Sequence, residues 1–490
     1  MRKIIYFLIG VLFFGLACTE EHSDKQSQNR EIELTDTQAA LLRAMRSEDN
    51  KVTHEEVLGH INDVIVLLDG DTPLKSEQGR TVEAITALTS DPQKKQIALK
   101  SEGGIIEIPD TLAYVVNFTD SSGFTIIAAD TRIPESVLAY VPSGTLGAEI
   151  DNPGMALFLS GLEDYIYNAI AELERIRILE GNGGVIGGID IIDESEPPGY
   201  TVIRKVYEPW TTTSAVYPLS TVEWNQSPAP FNSLVSKNCP TGKAPAGCVA
   251  VAVAQIMAHY QYPASINGYS FDWNTLNQYT SRYSWSQGDI GKNYKTWTGY
   301  MEDGPYGAPS AVKNQVARLM ERIGANVGMS YDCDGSGADS DDAISFLNRL
   351  GYQCSPKQDY NYNTVINALN TGWMIYARGK WEEYTTWIFF KEHRGGHAWL
   401  IDGYLNRSRQ VQTIYERRNM ATGALMSSYT VYSYEYSKLL HNNWGWGGSK
   451  NGYFIESAFF NSNLTGEDSS TKSDADGNFQ YQKRINIIRP

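Results

Sequence analysis

Hydrophobic residues dominate the start of the chain. They run from Ile4 to Ala17, directly after the basic start Met1-Arg-Lys. A run of this length is too short to cross a bilayer as a permanent helix, and a basic residue pair before it is typical of a signal peptide. The pattern therefore predicts that residues 1–17 are a signal peptide and that the protein is exported.

Helix and strand patterns then alternate along the N-terminal third of the chain. Amphipathic periodicity predicts helices from Thr37 to Arg46 and from Pro153 to Leu179. Short apolar runs predict strands over Tyr114–Phe118 and Thr125–Ala129. We therefore predict a folded α+β unit over residues 34–180.

A glycine-rich segment interrupts these patterns. Residues 181–188 contain five glycines, and an acidic stretch and a proline pair follow them. This composition predicts a linker over residues 181–200. A phosphate-binding loop is the alternative, but the Gly-x-Gly-x-x-Gly spacing fails at Ile186 and no Gly-Lys-Ser follows. A further region, over residues 201–490, holds the remaining motifs.

The first of these motifs is a cysteine that opens a long apolar segment. Cys248 follows Gly247 and begins thirteen residues, up to Tyr260, that fit a helix better than a buried strand. A thiol at a helix N-terminus lies near the positive end of the helix dipole, which favours the thiolate. Cys248 is therefore a candidate nucleophile. Taken alone, a structural cysteine on a core helix is the commoner explanation of such a segment.

A histidine at the start of another apolar segment changes that assessment. His397 follows Gly395 and Gly396, and glycines let a substrate backbone come close. A cysteine and a histidine that are distant in sequence but adjacent in space form a thiol hydrolase site. The imidazole takes the thiol proton and later protonates the leaving amine.

A tryptophan-rich segment forms the third motif. It extends from His441 to Gly448 and includes Trp444 and Trp446 among several glycines. The glycines predict a tight loop, and the tryptophans predict a lid over an apolar or cationic group. A turn that only packs against the core is the alternative for this segment by itself.

Two clusters of residues could instead bind a metal ion. His393 and His397 would need a helix to bind one metal ion, and two glycines between them disfavour a helix. Five aspartates lie within residues 332–342, with Gly337 at the sixth position of an EF-hand pattern but Ala343 in place of the final glutamate. We predict no metal site and no cofactor.

Composition narrows the class further. The chain has 490 residues, is 42% hydrophobic and 20% charged, and has a net charge of -16, which argues against nucleic acid as a partner. Its five cysteines are too few for a disulfide-built scaffold and include no Cys-x-x-Cys. A bond between Cys333 and Cys354 is one pairing that the sequence leaves open.

Together these segments resemble the streptopain family of papain-like cysteine peptidases, from about Val222 to the C-terminus. The resemblance implies an α+β papain-like domain, with a helical part and an antiparallel sheet, preceded by an α+β inhibitory prodomain. The matching blocks are Trp224-Asn-Gln226, Gly247-Cys248-Val-Ala, Met329-Ser-Tyr331, Gly396-His397-Ala398 with Ile401-Asp402-Gly403, and Asn443-Trp444-Gly-Trp446-Gly-Gly448.

The resemblance also implies roles for individual residues. Cys248 is expected to be the nucleophile, His397 the acid and base, and Gln226 an oxyanion-hole donor beside the Cys248 N–H. Trp444 takes the position that orients the histidine, with Asn443 as an alternative. The residues expected to line the substrate cleft are Gly247, Ser336, Gly396 and Trp446.

A zymogen is the form that the resemblance implies. The propeptide over residues 34–180 would inhibit its own enzyme until a cut between about Gly181 and Thr221. The segment Gly15-Leu16-Ala17-Cys18 resembles a bacterial lipobox, so residues 18–33 are expected to be a lipid-anchored tether. Plain secretion, with Cys18 lost in the signal peptide, is the alternative.

We therefore expect an exported peptidase at the cell surface that acts on extracellular or host proteins. Its expected partners are protein substrates and its own propeptide, with membrane contact only through the lipid on Cys18. A surface binding protein on a degenerate papain-like fold and a thiol amidase or acyltransferase are the alternatives. Residues 407–436, between the histidine and tryptophan motifs, are an apparent insertion.

Overall fold

The computed structural model describes residues 30–33, 50–69, 80–90, 96–98, 105–147, 150, 152–180, 185–186, 189–190, 199–282, 297–381, 395–459 and 483–490. The predicted signal peptide, the anchor cysteine Cys18, the helix predicted from Thr37 to Arg46, most of the 181–200 linker and His393 lie outside these residues. None of the described helices is long and apolar enough to cross a membrane.

The chain divides into two compact units. The smaller unit consists of Met1–Glu33, Glu194–Val206 and Gln412–Tyr432, and the larger unit consists of Leu34–Asp193, Tyr207–Val411 and Ser433–Pro490. Every residue of the candidate site lies in the larger unit.

Seven α-helices can be defined in the described part of the chain. They are α1 (His54–Asp69), α2 (Pro153–Glu180), α3 (Cys248–Tyr260), α4 (Trp273–Leu276), α5 (Ser310–Asn326), α6 (Ser340–Arg349) and α7 (Tyr362–Asn370). The helices predicted to start at Pro153 and Cys248 begin at those residues. The pattern of apolar residues therefore predicted both helices correctly. Side chains cap several of these helices; for example, Asn152 Oδ1 accepts from the N–H groups of Gly154 and Met155 at the start of α2.

The main sheet has fourteen described strands. They are β1 (Arg30–Glu33), β2 (Val82–Thr89), β3 (Thr111–Phe118), β4 (Phe124–Ala128), β5 (Val137–Val141), β6 (Gly199–Tyr207), β7 (Thr211–Val216), β8 (Gln353–Cys354), β9 (Gln358–Asp359), β10 (Met374–Trp381), β11 (Gly395–Asn419), β12 (Leu425–Asn443), β13 (Gly452–Ile455) and β14 (Arg484–Arg489). Its order in the larger unit is β8-β14-β10-β11-β12-β13-β5-β4-β3-β2, with β7 beside β11 and β9 beside β14.

Short ladders and turns complete the secondary structure. Two-stranded ladders pair Gln96–Ala98 with Ile105–Glu107, Val185–Ile186 with Ile189–Asp190, Asn238–Cys239 with Gly242–Lys243, Ser265–Ile266 with Tyr269–Ser270, and Tyr279–Thr280 with Gly299–Tyr300. Single 3₁₀ turns cover Thr119–Ser121 and Glu456–Phe459. Helices combined with a mainly antiparallel sheet confirm the predicted α+β class.

The predicted propeptide region and the predicted catalytic region share the main sheet. Strand β5 pairs antiparallel with β13, placing Tyr140 opposite Tyr453 and Ala139 opposite Phe454. All five residues of β5 are buried, as are all four residues of β13. Without β5, β13 would be an edge strand with unpaired N–H and C=O groups on this side. Strand β5 therefore supplies the hydrogen-bond partners of β13.

Two apolar cores fill the larger unit. One core joins helices α1 and α2 to the sheet and includes Phe158, Trp399 and Trp444. The other surrounds helix α3, which is buried from Cys248 to Ala258. An apolar helix that is covered on every side cannot show a polar face, which explains its continuous run of valine and alanine.

The apparent insertion folds as a hairpin. Residues 407–436, hereafter the arm, belong to strands β11 and β12, which are joined by a tight turn at Met420–Ala424. The sequence predicted a short strand after His397, whereas β11 runs for 25 residues. Polar and aromatic residues alternate along the arm. This pattern did not predict the long strands, because neither face of the hairpin is fully apolar.

Candidate active site

A glycine with a left-handed backbone conformation precedes helix α3. Gly247 precedes the helix with φ of 92°, a conformation that favours glycine. A side chain there would lie 2.7 Å from Met329 Sδ and 3.0 Å from the backbone oxygen of Ser336. Gly247 and Ser336, both predicted to line the cleft, are therefore neighbours beside the nucleophile.

The thiol of Cys248 is buried at this helix start. The residue is only 9% exposed, and burial raises the pKa of the thiol. Hydrogen bonds from three backbone N–H groups lower that pKa; they come from Ala398, Val249 and Cys248 itself. Since Ala398 follows His397 directly, the structure brings the two predicted catalytic segments together at the thiol.

A backbone carbonyl orients the ring of His397. Nε2 of His397 lies 2.9 Å from the carbonyl oxygen of Trp444. A carbonyl oxygen only accepts hydrogen bonds, so Nε2 carries the proton and Nδ1 is left as the basic nitrogen. The imidazole is only 3% exposed, and burial lowers its pKa to about 4, against the opposing effect of the Trp444 carbonyl.

Three tryptophans surround the imidazole. Trp399 stacks on His397 with a centroid distance of 6.1 Å and an interplanar angle of 8°. Trp444 and Trp446 lie at 6.5 Å, tilted by 43° and 62°. The sequence analysis singled out Trp444 and Trp446 but not Trp399, which follows Ala398 in the apolar strand. Aromatic walls limit the access of water and fix the position of the ring.

Asn443, the alternative orienting residue, has a different partner. Its side-chain amide pairs with that of Gln255 on helix α3, at 3.2 Å from Nδ2 to Oε1, and its Oδ1 accepts from the N–H of Gly445. Gln255 Oε1 also accepts from the backbone N–H of Trp224 at 2.9 Å. The polar pair therefore links helix α3 to the tryptophan loop, and the contact to His397 comes from the next residue.

Backbone contacts bring Gln226 to the nucleophile. Its carbonyl oxygen accepts from the N–H of Ala246 at 2.9 Å, two residues before Cys248. Its own N–H donates to Asn225 Oδ1, and the residue is buried. This position is compatible with the predicted oxyanion role, which remains a prediction. Gly396 is exposed at the start of β11, beside His397.

The loop that contains Ser336 is attached by a disulfide bond. Cys333 bonds to Cys239, with a Cα–Cα distance of 5.7 Å. The pairing of Cys333 with Cys354, left open by the sequence, does not form because Cys354 lies in β8 opposite Ile488 of β14. The bond ties the hairpin that precedes Cys248 to the loop that borders it.

The neighbouring aspartates are used within the protein. Asp339 caps helix α6 through the N–H of Asp341, and Asp341 forms ion pairs with Lys357 and Arg378. No group of three potential metal ligands occurs among the described residues. These contacts give Asp339 and Asp341 partners within the protein.

A buried contact between an aspartate and a histidine lies on the strand of His397. Asp402 on β11 and His441 on β12 are 2.6 Å apart, and both side chains are 1% exposed. Asp402 Oδ2 also accepts from the N–H of Ser220. Both residues lie within the sequence motifs, but the sequence does not show that they are partners, because their contact arises only from the pairing of two strands.

Helix α2 of the predicted propeptide covers this side of the site. Gly154 lies so close to the Trp444 ring that a side-chain carbon there would overlap it. Asn152 Nδ2 donates to the carbonyl of Ser449, and Leu157 packs on Gly379, which pairs with His397 across β10 and β11. The start of α2 therefore rests on two segments that hold the imidazole.

A buried cysteine at a helix N-terminus, a histidine with Nδ1 available and a covering N-terminal domain define a cysteine peptidase with its prodomain in place. The comparisons with known proteins agree with this class. The Peptidase C10 family model matches residues 224–454, and the Spi protease inhibitor model matches residues 86–166. Over residues 224–454, the match supports a streptopain-like peptidase of the Peptidase C10 family.

Curated relatives are similar over most of the chain. The thiol protease/hemagglutinin PrtT of Porphyromonas gingivalis is 26% identical over 71% of this chain, but the match covers only 34% of that protein. Streptopain of Streptococcus pyogenes serotype M1 is 23% identical over 78% of this chain and 82% of its own length. The chain thus spans about a third of PrtT and most of streptopain.

Among solved structures, a prointerpain A fragment from Prevotella intermedia is similar to this chain. It shares 20% identity over 78% of this chain and 96% of the fragment, with a TM-score of 0.44. The family assignment rests on the sequence matches.

Proposed function

We propose that this chain is an exported zymogen of a cysteine endopeptidase that hydrolyses extracellular or host proteins and removes its own propeptide. The observation that carries the proposal is the 2.9 Å contact between Nε2 of His397 and the carbonyl oxygen of Trp444. Because the Trp444 carbonyl accepts a hydrogen bond from Nε2–H, Nδ1 of His397 is the nitrogen that can accept the proton of the Cys248 thiol.

The proposed reaction proceeds in two steps. Nδ1 takes the thiol proton, Sγ of Cys248 attacks the peptide carbonyl, and the oxyanion is held by the Gln226 amide and the Cys248 N–H. The imidazolium then protonates the leaving amine as the C–N bond breaks, which leaves a thioester. Water attacks the thioester with His397 as base, releasing the acid and the thiol.

Burial accounts for latency in the intact chain. Burial raises the pKa of Cys248 and lowers that of His397, so both groups are neutral near pH 7. The contacts of α2 with Trp444 and Gly379 contribute to this burial. We place the activating cut between residues 181 and 210, because β7 pairs with β11 and so belongs to the enzyme.

The location of the enzyme is part of the proposal. The hydrophobic start and the segment that ends at Cys18 support export and attachment through lipid to the outer membrane or cell surface. Mass spectrometry of the membrane fraction would detect acylated Cys18. A mature N-terminus after Cys18 would instead indicate plain secretion.

Autolysis tests the central proposal. Purified residues 19–490, as wild type and Cys248→Ala, are incubated under mild reducing conditions and followed by mass spectrometry and casein hydrolysis. The wild type is expected to cut itself between residues 181 and 210 and then to digest casein, whereas Cys248→Ala does neither. A wild type that stays inactive after its propeptide is removed by another protease would contradict the proposal.

A further inference from the structure

The base of the arm contains a buried arginine with two acidic partners. Arg409 on β11 is only 3% exposed at its side chain. Its Nε donates to Glu435 on the neighbouring strand at 2.8 Å, and its Nη1 donates to Asp63 of helix α1 at 2.7 Å. One carboxylate therefore belongs to the arm and the other to the predicted propeptide.

Two aromatic rings complete the surroundings of the guanidinium. Arg409 lies over the rings of Tyr207 and Trp210, at 4.2 and 4.7 Å from their centroids. Trp210 Nε1 donates to Asp63 at 3.2 Å, and the Tyr207 hydroxyl donates to Glu56 of helix α1 at 3.4 Å. We call Tyr207, Trp210, Arg409 and Glu435 the arm socket.

The inference applies to a cut in the part of the proposed range before residue 207, because the arm socket then follows the cut in the chain and helix α1 precedes it. Tyr207 and Trp210 lie just before β7, which pairs with Tyr404–Ser408 of β11. A cut upstream of residue 207 leaves the whole arm socket on the enzyme. Helix α1, with Asp63, then belongs to the separated N-terminal fragment.

Loss of helix α1 would be costly for this arginine. Without helix α1, Arg409 loses Asp63 and keeps only Glu435 as a carboxylate partner. Its guanidinium then lies in a partly apolar site with one face exposed. Arg409 is also stacked on two rings, so solvent reaches its donors poorly. The arm socket therefore favours retention of the helix even when the chain is no longer continuous.

The smaller unit shows a second contact between the N-terminal region and the same arm. There, β1 pairs in parallel with β12, and Arg30 to Glu33 lie opposite Tyr429 to Tyr432. The arm thus binds two separate segments of the N-terminal region, one in each unit. Neither contact involves the Cys248 and His397 segments.

We propose that the arm is a docking surface that keeps the cleaved propeptide bound to the enzyme through Asp63 and the arm socket. The occupant is helix α1 of the same chain, and the inference rests on the proposed zymogen. Cleavage of the linker alone then yields a nicked complex, and the active enzyme appears only after the propeptide is degraded or displaced.

A site-specific nick tests the docking surface without using the enzyme's own activity. A recognition sequence for an unrelated protease is inserted into residues 181–198 of the Cys248→Ala chain. After cleavage, the two fragments are diluted to about 1 µM and analysed by size exclusion and native mass spectrometry. The fragments of the parent chain are expected to remain one complex.

Two variants, each of which removes one charge, isolate the arm socket. Asp63→Asn and Arg409→Gln are each expected to raise the dissociation constant of the nicked complex by roughly 100-fold, and the double variant by little more. Arg318→Gln, which removes a half-buried ion pair with Glu321 on α5, is the matched control and leaves the complex intact.

Two results would overturn the proposal. The first is separation of the parent fragments at this concentration. The second is retention by Arg409→Gln equal to that of the parent, with each uncut variant first shown to be folded by circular dichroism. Because the nick is made in an inactive chain, either result leaves the proposed self-cleavage untouched, and failed autolysis leaves the docking surface untouched.

Discussion

At the scale of single residues, burial decides whether Cys248 and His397 carry charge. A thiol with a raised pKa carries little thiolate at neutral pH, and an imidazole with a pKa of about 4 is protonated only in acid. Neither group therefore supports the other's charge in the intact chain. A thiolate–imidazolium pair requires that the site become more polar.

Alkylation of Cys248 should report this difference. In the intact chain, its rate with iodoacetamide should be low at pH 6–7 and rise only in alkaline solution, as the raised pKa is approached. After the propeptide is removed, the rate at pH 6–7 should rise about tenfold or more because the imidazolium stabilises the thiolate.

Peptide mapping by mass spectrometry distinguishes Cys248 from Cys354 in the same sample. The pKa of Cys354, raised to about 11 by burial, provides an internal comparison. Equal rates for Cys248 in the intact and activated protein at pH 6 would contradict the assigned latency.

Asn443 offers a second test at this scale. Asn443→Ala removes the amide pair with Gln255 and leaves the Trp444 carbonyl on His397. The variant should lose about 1–3 kcal/mol of unfolding free energy, because a buried partner is left unsatisfied. The pH profile of kcat/KM in the activated enzyme should keep its shape, as measured with a peptide substrate. A shifted profile at unchanged stability would instead make Asn443 the orienting residue.

At the scale of elements, the sequence predicts helices α3 and α2 but not the segment that α2 contacts. The thirteen residues from Cys248 to Tyr260 form a helix as their apolar run predicted. The helix from Pro153 was also predicted, but its contact with the tryptophan loop was not. Amphipathic periodicity shows that a helix has a buried face and does not show which segment covers it.

The close approach of α2 to Trp444 predicts an effect of Gly154→Ala. The added carbon would overlap the indole, so the helix must shift, at a cost of about 1–3 kcal/mol. The variant zymogen should unfold at a lower temperature and cut itself faster than the wild type, as measured by calorimetry and a time course on gels.

Gly59→Ala in helix α1 is the matched control. A side-chain carbon there would meet no atom within 4 Å. The substitution should stabilise the helix by about 0.5–1 kcal/mol and leave the rate of self-cleavage unchanged. Equal acceleration by both alanine variants would show that the effect does not depend on contact with Trp444.

At the scale of the whole molecule, long-range links define the site. The Cys239–Cys333 bond joins residues 94 apart in sequence, and strand β5 of the propeptide region completes the sheet beside β13. Both links act on the site through neighbouring segments, the first through the loop of Ser336 and the second through the strand that follows the tryptophan loop.

The disulfide bond gives the prediction at this scale. Cys333→Ser should lower the free energy of unfolding by about 2–4 kcal/mol, because a long loop in the unfolded chain is no longer closed. It should also reduce kcat/KM by releasing the loop beside Gly247. Cys354→Ser, which removes an unbonded thiol, should change the stability by less than about 0.5 kcal/mol. Urea unfolding under non-reducing conditions measures the free energy of unfolding of both variants. Equal values for Cys333→Ser and Cys354→Ser would exclude a structural role for the bond.

Much of the candidate site could be predicted because its signals are local. Cys248 after Gly247 at the head of an apolar run, and His397 after two glycines, are visible within a few residues. The glycine-rich linker and the hydrophobic start also give local signals, and both stay predictions. Residues 407–436 were recognised only as an insertion, since alternating tyrosine, serine and arginine do not reveal which face a strand will bury.

The sequence by itself determined the peptidase class, the α+β architecture and the identities of the candidate nucleophile and base. Only the tertiary structure decided that a carbonyl of Trp444 holds His397, that Cys333 bonds to Cys239, and that Arg409 meets Asp63. The reason is physical: a helix dipole or a hydrophobic period acts over neighbouring residues, whereas these contacts depend on the path of the whole chain. A backbone carbonyl, moreover, is the same in every residue and leaves no mark in a sequence.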